Sequence, residues 1–176
     1  TRGFYSSAQS VSLATPTGDA NIRYTTDGSV PSETTGTLYT GPVSVPTTTI
    51  LRTIAYKEGF ESSKIGTQTY LFPTEVKGQS DMDSTITTRA PYAVTIEDDL
   101  SNNLPILSLV VDNDDFFGPS GIYENPNLSG RGAEVPLSIE FFNLSNPTDQ
   151  FQVDAGVRIH GGNARSHPKK PLRLYF

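Results

Sequence analysis

The chain has 176 residues, of which 35% are apolar and 18% charged, with a formal net charge of -6 and no cysteine. Apolar content at that level over that length buries a core and excludes disorder throughout, and the absence of cysteine excludes disulfides, thiolate metal sites and cysteine nucleophiles. The acidic balance argues against general nucleic-acid binding; no apolar run approaches the roughly 20 residues of a membrane span.

From residue 1 to about 72, Ser, Thr, Gly and Pro punctuate short alternating runs at 10–13, 21–25, 41–45, 49–56 and 67–72. Strands at such spacing, with turns at Thr17-Gly18-Asp19, Asp27-Gly28, Thr40-Gly41-Pro42 and Glu58-Gly59, predict a β-sandwich without helix. Asp27, in Thr-Asp-Gly-Ser, reads as the start of an Asx turn rather than as a metal ligand or acid catalyst. Five of the eight tyrosines lie here (Tyr5, Tyr24, Tyr39, Tyr56 and Tyr70). An exposed row of rings would stack on sugars, whereas alternating strands place most such rings over the core with the hydroxyl outward.

The succession Gly3-Phe4-Tyr5, Ile22-Arg23-Tyr24-Thr25-Thr26-Asp27-Gly28-Ser29, Tyr39-Thr40-Gly41-Pro42-Val43 and Leu51-Arg52-Thr53-Ile54-Ala55-Tyr56 is similar to the fibronectin-III-associated or chitobiase C-terminal-like domain. The resemblance implies an immunoglobulin-like, non-catalytic module attached to carbohydrate-active enzymes and surface proteins. It carries with it an extracellular or cell-surface setting and a glycan or cell-surface protein as partner. The N-terminus has no basic-then-apolar signal segment, so an export signal is expected outside this sequence.

Residues 73–103 lose this regularity and read as a connecting segment that packs across the next domain. Tyr92, Ile96 and Leu100 are spaced by four and predict a short helix with Pro91 in its first turn, although carboxylates near its end oppose the helix dipole. Residues 104–111 form a nearly continuous apolar run, as expected of a strand covered on both faces. Asp112-Asn113-Asp114-Asp115 lacks the glycine and the terminal glutamate of a calcium loop, and reads as a cap and acidic first turn ahead of Phe116-Phe117. Val135, Leu137, Ile139 and Phe141 alternate inward on a strand whose other side holds Ser138 and Glu140; Glu140 is placed to pair with Arg158 or a lysine, or to form a plain cross-strand ion pair. A turn is expected over residues 143–150.

The C-terminal run reads as two strands joined by a glycine-rich basic turn. Val153, Ala155, Val157 and Ile159 share one face with Asp154, Arg158 and His160 opposite; Leu172, Leu174 and Phe176 repeat the pattern with Lys169, Arg173 and Tyr175 opposite. Five of the 13 Lys and Arg residues lie between Arg158 and Phe176, where there is no Asp or Glu. Glycine backbone and fixed cations are what a polyphosphate requires, so Arg158, Gly161, Gly162, Arg165, Lys169 and Lys170 are the candidate phosphate-binding residues; the plainer alternative is a hairpin with a solvated basic rim.

The run from Arg158 to Leu174, Arg-Ile-His-Gly-Gly-Asn-Ala-Arg-Ser-His-Pro-Lys-Lys-Pro-Leu-Arg-Leu, resembles the signature of the CotH family of spore-coat-protein-like atypical kinases. So do Leu-Pro-Ile-Leu-Ser-Leu-Val-Val-Asp-Asn-Asp-Asp-Phe-Phe at 104–117, Gly-Ile-Tyr-Glu-Asn at 121–125 and Ser-Ile-Glu-Phe-Phe at 138–142. The resemblance implies the N-terminal part of a kinase domain in which a basic lobe holds nucleotide phosphates, with Mg·ATP as the cofactor of a full-length parent. Ala164 and Pro171 stand where the family commonly has Ser, which removes two hydroxyls and one backbone donor. The family's catalytic and metal-binding acids belong to a second lobe, expected beyond Phe176, so no turnover is expected of these residues alone.

The expectation is thus a mainly β chain. An immunoglobulin-like β-sandwich (1–72) and a connecting segment (73–103) lead into a small, β-rich, mostly antiparallel partial domain (104–176) with at most short helices. Its function is that of a non-catalytic fragment of a bacterial surface or secreted protein, joining a binding or scaffold module to a phosphate-binding half-lobe. The alternative is a carbohydrate-binding accessory module, in which tyrosines or His160 and His167 face a glycan. Hydrolysis is disfavoured, because the sequence has neither a Gly-x-Ser-x-Gly elbow nor a His-Glu-x-x-His pair.

Overall fold

The computed structural model describes residues 1–80, 82–103, 105–143 and 148–176. The chain is mainly β with short helices. It divides into two compact units, residues 1–108 with 140–151 and residues 109–139 with 152–176.

In the first unit, β1 (Gly3–Phe4), β2 (Gln9–Val11), β3 (Asn21–Thr25), β4 (Thr37–Leu38), β5 (Val43–Val45), β6 (Thr49–Tyr56) and β7 (Gly66–Leu71) form two sheets. One has the order β1-β7-β6-β3-β4 and the other pairs β2 with β5. All pairings are antiparallel except β1 with β7. Val43 and Val45 of β5 pack with Leu51 of β6, Tyr70 of β7 and Phe72, so side chains of both sheets meet in one core. That is the sandwich the alternation predicts.

Tyr70 is buried, and Tyr5, Tyr24 and Tyr39 pack against the same cluster. The Tyr39 hydroxyl accepts from the Leu13 amide at 3.1 Å, and that of Tyr56 accepts from Arg23 Nε at 3.1 Å. Tyr5, Tyr24, Tyr39 and Tyr70 therefore line the core instead of forming an exposed row. At the β3 end, Asp27 Oδ1 accepts from the Ser29 hydroxyl at 2.6 Å and amide at 3.0 Å, an Asx turn around Gly28 at φ 84°. These two bonds, the hydroxyl first, hold the Asp27 carboxyl below its ordinary range.

Residues 73–103 are largely helical. They form α1 (Pro73–Lys77), α2 (Ser84–Thr88), α3 (Tyr92–Asp98) and a π-helical turn at Asp99–Asn103, so the helix foreseen at Tyr92 is present. Its unfavourable acidic end is answered by Lys77, whose Nζ donates to Ala93 O at 3.0 Å and Glu97 Oε1 at 3.2 Å. Hydrogen bonds from Lys77 and Thr74 hold the Glu97 carboxyl below its ordinary range. The helix α1 is unexpected, and so is the short α2. Its Ser-Thr-Ile-Thr-Thr sequence favours a strand, and the helix is started by Asp83, which accepts from the Thr85 amide at 2.8 Å. Asp81, within the same segment, lies outside the described residues.

The strands β8 (Ile106–Val111), β9 (Val135–Phe142), β10 (Phe151–Ile159) and β11 (Leu172–Tyr175) form a sheet of order β11-β10-β9-β8. β8 departs from expectation. Leu107 and Leu109 are 49% and 37% exposed, so this edge strand is covered on one side only, and continuity of the apolar run was no guide to burial. Leu104, where that run begins, and residues 144–147, within the expected turn, lie outside the described residues.

Glu140 of β9 belongs to the first unit and is fully buried there. Its Oε1 accepts from the Thr69 amide at 3.2 Å and lies 3.3 Å from Arg2 Nε, while its Oε2 accepts from the Thr69 hydroxyl. Burial raises its carboxyl above the ordinary 4.5, opposed by the Thr69 bonds and the Arg2 charge. The folded state therefore holds this proton more tightly than the unfolded chain does. The group's contribution to stability is full below the unfolded value and is lost as pH rises through the folded one. Urea unfolding between about pH 4 and pH 8 should show that wild type loses stability with rising pH relative to Glu140→Gln; parallel profiles would contradict the assignment.

Candidate functional site

β10 and β11 pair antiparallel, with Gly156 opposite Tyr175, Val157 opposite Leu174, Arg158 opposite Arg173 and Ile159 opposite Leu172. The His160 amide donates to Pro171 O at 2.9 Å and closes the hairpin. Val157 and Ile159 are buried with Ile122, Leu137 and Ile139, and Leu174 packs against them. Period-2 alternation then sends Arg158, Arg173 and Tyr175 to the other face. The shared cationic face read from the sequence is thus formed.

Between the strands, Gly161 has φ 99°, a left-handed conformation that a side chain would strain. A 3-10 turn follows at Asn163–Ser166. Arg165 donates through Nε to Gly161 O and through one terminal nitrogen to Pro126 O at 2.6 Å and Leu128 O at 3.1 Å. Lys170 Nζ donates to Arg165 O at 2.8 Å and His167 O at 3.3 Å, and sits 4.6 Å from the centre of the Tyr123 ring. The Tyr123 hydroxyl in turn donates to Pro168 O at 2.8 Å. These two cations brace the loop through main-chain carbonyls.

The six candidate residues therefore occupy three settings. Arg165 and Lys170 are tied into the loop, with Gly161 beneath Arg165. Gly162 and Lys169 are exposed at its surface, as are His160 and His167. Arg158 lies on the outer face of the sheet, its guanidinium carbon 3.9 Å from the centre of the Tyr175 ring and its Nε 3.9 Å from Glu134 Oε2. The carboxylate beside Arg158 is thus Glu134. Glu140, placed there by strand alternation, instead faces Arg2 and Thr69, because a carboxyl with no exposed surface takes the partners that enclose it. Arg173 and Tyr175 were recognised as members of the cationic face but not as site residues; the signal was their spacing opposite Leu172 and Leu174.

Asp112 Oδ1 accepts from the Asp114 amide at 3.0 Å and caps α4 (Asn113–Phe117), the capping role its sequence suggested. Among the described residues no three His, Asp or Glu side chains gather as a metal cluster would require. In the second unit an apolar cavity of about 190 Å³ lies among Leu109, Val111, Phe116, Leu137, Val157 and Leu172.

Comparison with known families matches residues 1–67 to the chitobiase/beta-hexosaminidase C-terminal domain. This agrees with the resemblance seen in residues 1–72, and the matched residues stop short of the CotH-like run. Neither the curated proteins nor the solved structures give a match.

If Arg165 is a brace, Arg165→Ala should lower stability by about 2 kcal/mol through three carbonyls left without their donor, and should speed amide exchange across the loop from Gly161 to Lys170. Lys169→Ala should stay within about 0.5 kcal/mol of wild type. Equal effects of the two substitutions in chemical denaturation would contradict this division.

Proposed function

We propose that this chain is a non-catalytic, carbohydrate-associated piece of a secreted or surface protein, its N-terminal sandwich serving as an accessory module that engages a glycan. The observation that carries the reading is the family match over residues 1–67. Four of the sandwich's five tyrosines are occupied with its core and Tyr56 is half-buried and bonded to Arg23, so recognition falls to other surface groups. Phe60 is 64% exposed beside the Glu58-Gly59 turn and is the foremost ring among them. Affinity electrophoresis of the whole chain through gels containing soluble polysaccharides tests the proposal: retardation by at least one polymer, reduced by Phe60→Ala, is expected. Unretarded migration in every gel, chitin-derived polymers included, would remove the glycan from the reading.

The second unit favours a further role, as the phosphate-receiving half-lobe of a CotH-like kinase that takes Mg·ATP. The specific observation is the loop: Arg165 and Lys170 fix its path, while Gly162 and Lys169 remain at its surface with Gly161 in the bend. A preorganised glycine turn with a free ammonium suits a phosphate oxygen. In this reading the braces position the loop, Lys169 supplies the contact, and no turnover occurs. Calorimetric titration with Mg·ATP should give weak heat that Lys169→Ala reduces. Identical heats from the two proteins would sink the loop assignment while leaving the accessory module untouched.

A further inference from the structure

We infer that Arg158, Arg173 and Tyr175 form a receptor for an oxyanion on the outer face of the hairpin, a site separate from the loop of Lys169. Arg158 and Arg173 are direct cross-strand partners. Like charges placed opposite one another destabilise an antiparallel pair, so this register calls for a countercharge close to both. Among the described residues the chain supplies one, the Glu134 carboxylate, and it forms an ion pair with Arg158 alone. Glu134 Oε2, at 3.9 Å from Arg158 Nε, is beyond hydrogen-bond distance, and that nitrogen is buried with no hydrogen-bond partner. Asp154, farther along the same face, accepts from the Gln152 side chain at 3.1 Å. Arg173 is exposed, and among the described residues no carboxylate pairs with it.

The two guanidinium groups share one platform. Their central carbons lie 3.9 Å (Arg158) and 5.8 Å (Arg173) from the centre of the Tyr175 ring. Stacking of this kind holds a guanidinium by its plane and leaves its N–H edge for a ligand. The contrast with Arg165 is direct, since that side chain is bonded to three carbonyls. Two forked donors on partner strands suit an oxygen-rich anion that accepts from both, either a phosphoryl group or a carboxylate cluster. The opposed charges and the common ring are explained together by such a ligand.

Calorimetric titration of the whole chain at low salt with inorganic pyrophosphate, and separately with citrate, tests the site. Saturable binding of at least one is expected, weakened about tenfold or more by Arg173→Gln. Arg173→Lys should recover only part of the affinity, because it restores the charge without the fork. Binding of pyrophosphate alone assigns a phosphoryl ligand, and of citrate alone a carboxylate one. The inference is overturned if neither binds, or if Arg173→Gln binds as tightly as wild type. It is also overturned if Lys169→Ala abolishes binding that Arg173→Gln preserves, an outcome that returns the anion to the loop.

Discussion

The guanidinium of Arg165, bonded to the carbonyls of Gly161, Pro126 and Leu128, is the contact on which the basic loop of the second unit depends. A charge-assisted bond to a carbonyl is among the stronger polar contacts a protein makes, and three from one side chain fix two separate stretches of chain to each other. Lys170 extends the brace to Arg165 O and His167 O. Of the basic residues of the hairpin, that leaves Lys169 at the loop surface and Arg158 with Arg173 on the face of the sheet for the anions we propose. Positive charge that is dense in the sequence is divided in space between holding the hairpin and presenting it.

The first unit follows a different logic. Two sheets close over valine, leucine and aromatic side chains, Tyr5, Tyr24, Tyr39 and Tyr70 among them. The interior is not wholly apolar: Arg52, Thr67 and Thr69 are buried, and so is the Glu140 carboxyl. That carboxyl is tolerated because the Thr69 amide and hydroxyl and the Arg2 guanidinium surround it, as a buried carboxyl requires. A sandwich of this kind, matched over residues 1–67 to the chitobiase/beta-hexosaminidase C-terminal domain, offers a rigid core and an exposed surface.

Much of this was legible in the sequence where a local rule was sufficient. The strands at Asn21–Thr25, Thr49–Tyr56 and Val135–Phe142 fall where alternation placed them, as do the Asx turn at Asp27 and the cap at Asp112. β1 and β4, two residues each, are too short to show a period. The failures came where partners distant in sequence decide the outcome. Glu140 meets Thr69, 71 positions away, and Arg165 meets Pro126, 39 positions away. Neither distance leaves a pattern in a single chain. The sequence brought out the concentration of charge, but which charges are spent on the backbone became apparent only with the fold.

The division between bracing and presented cations is open to one direct observation, the arginine Nε–H resonances of the whole chain recorded by NMR with and without inorganic phosphate. The account predicts that the Arg165 signal is protected from exchange and indifferent to phosphate, while those of Arg158 and Arg173 shift together along one saturable curve. A phosphate-dependent shift of Arg165, with Arg158 and Arg173 unmoved, would contradict it.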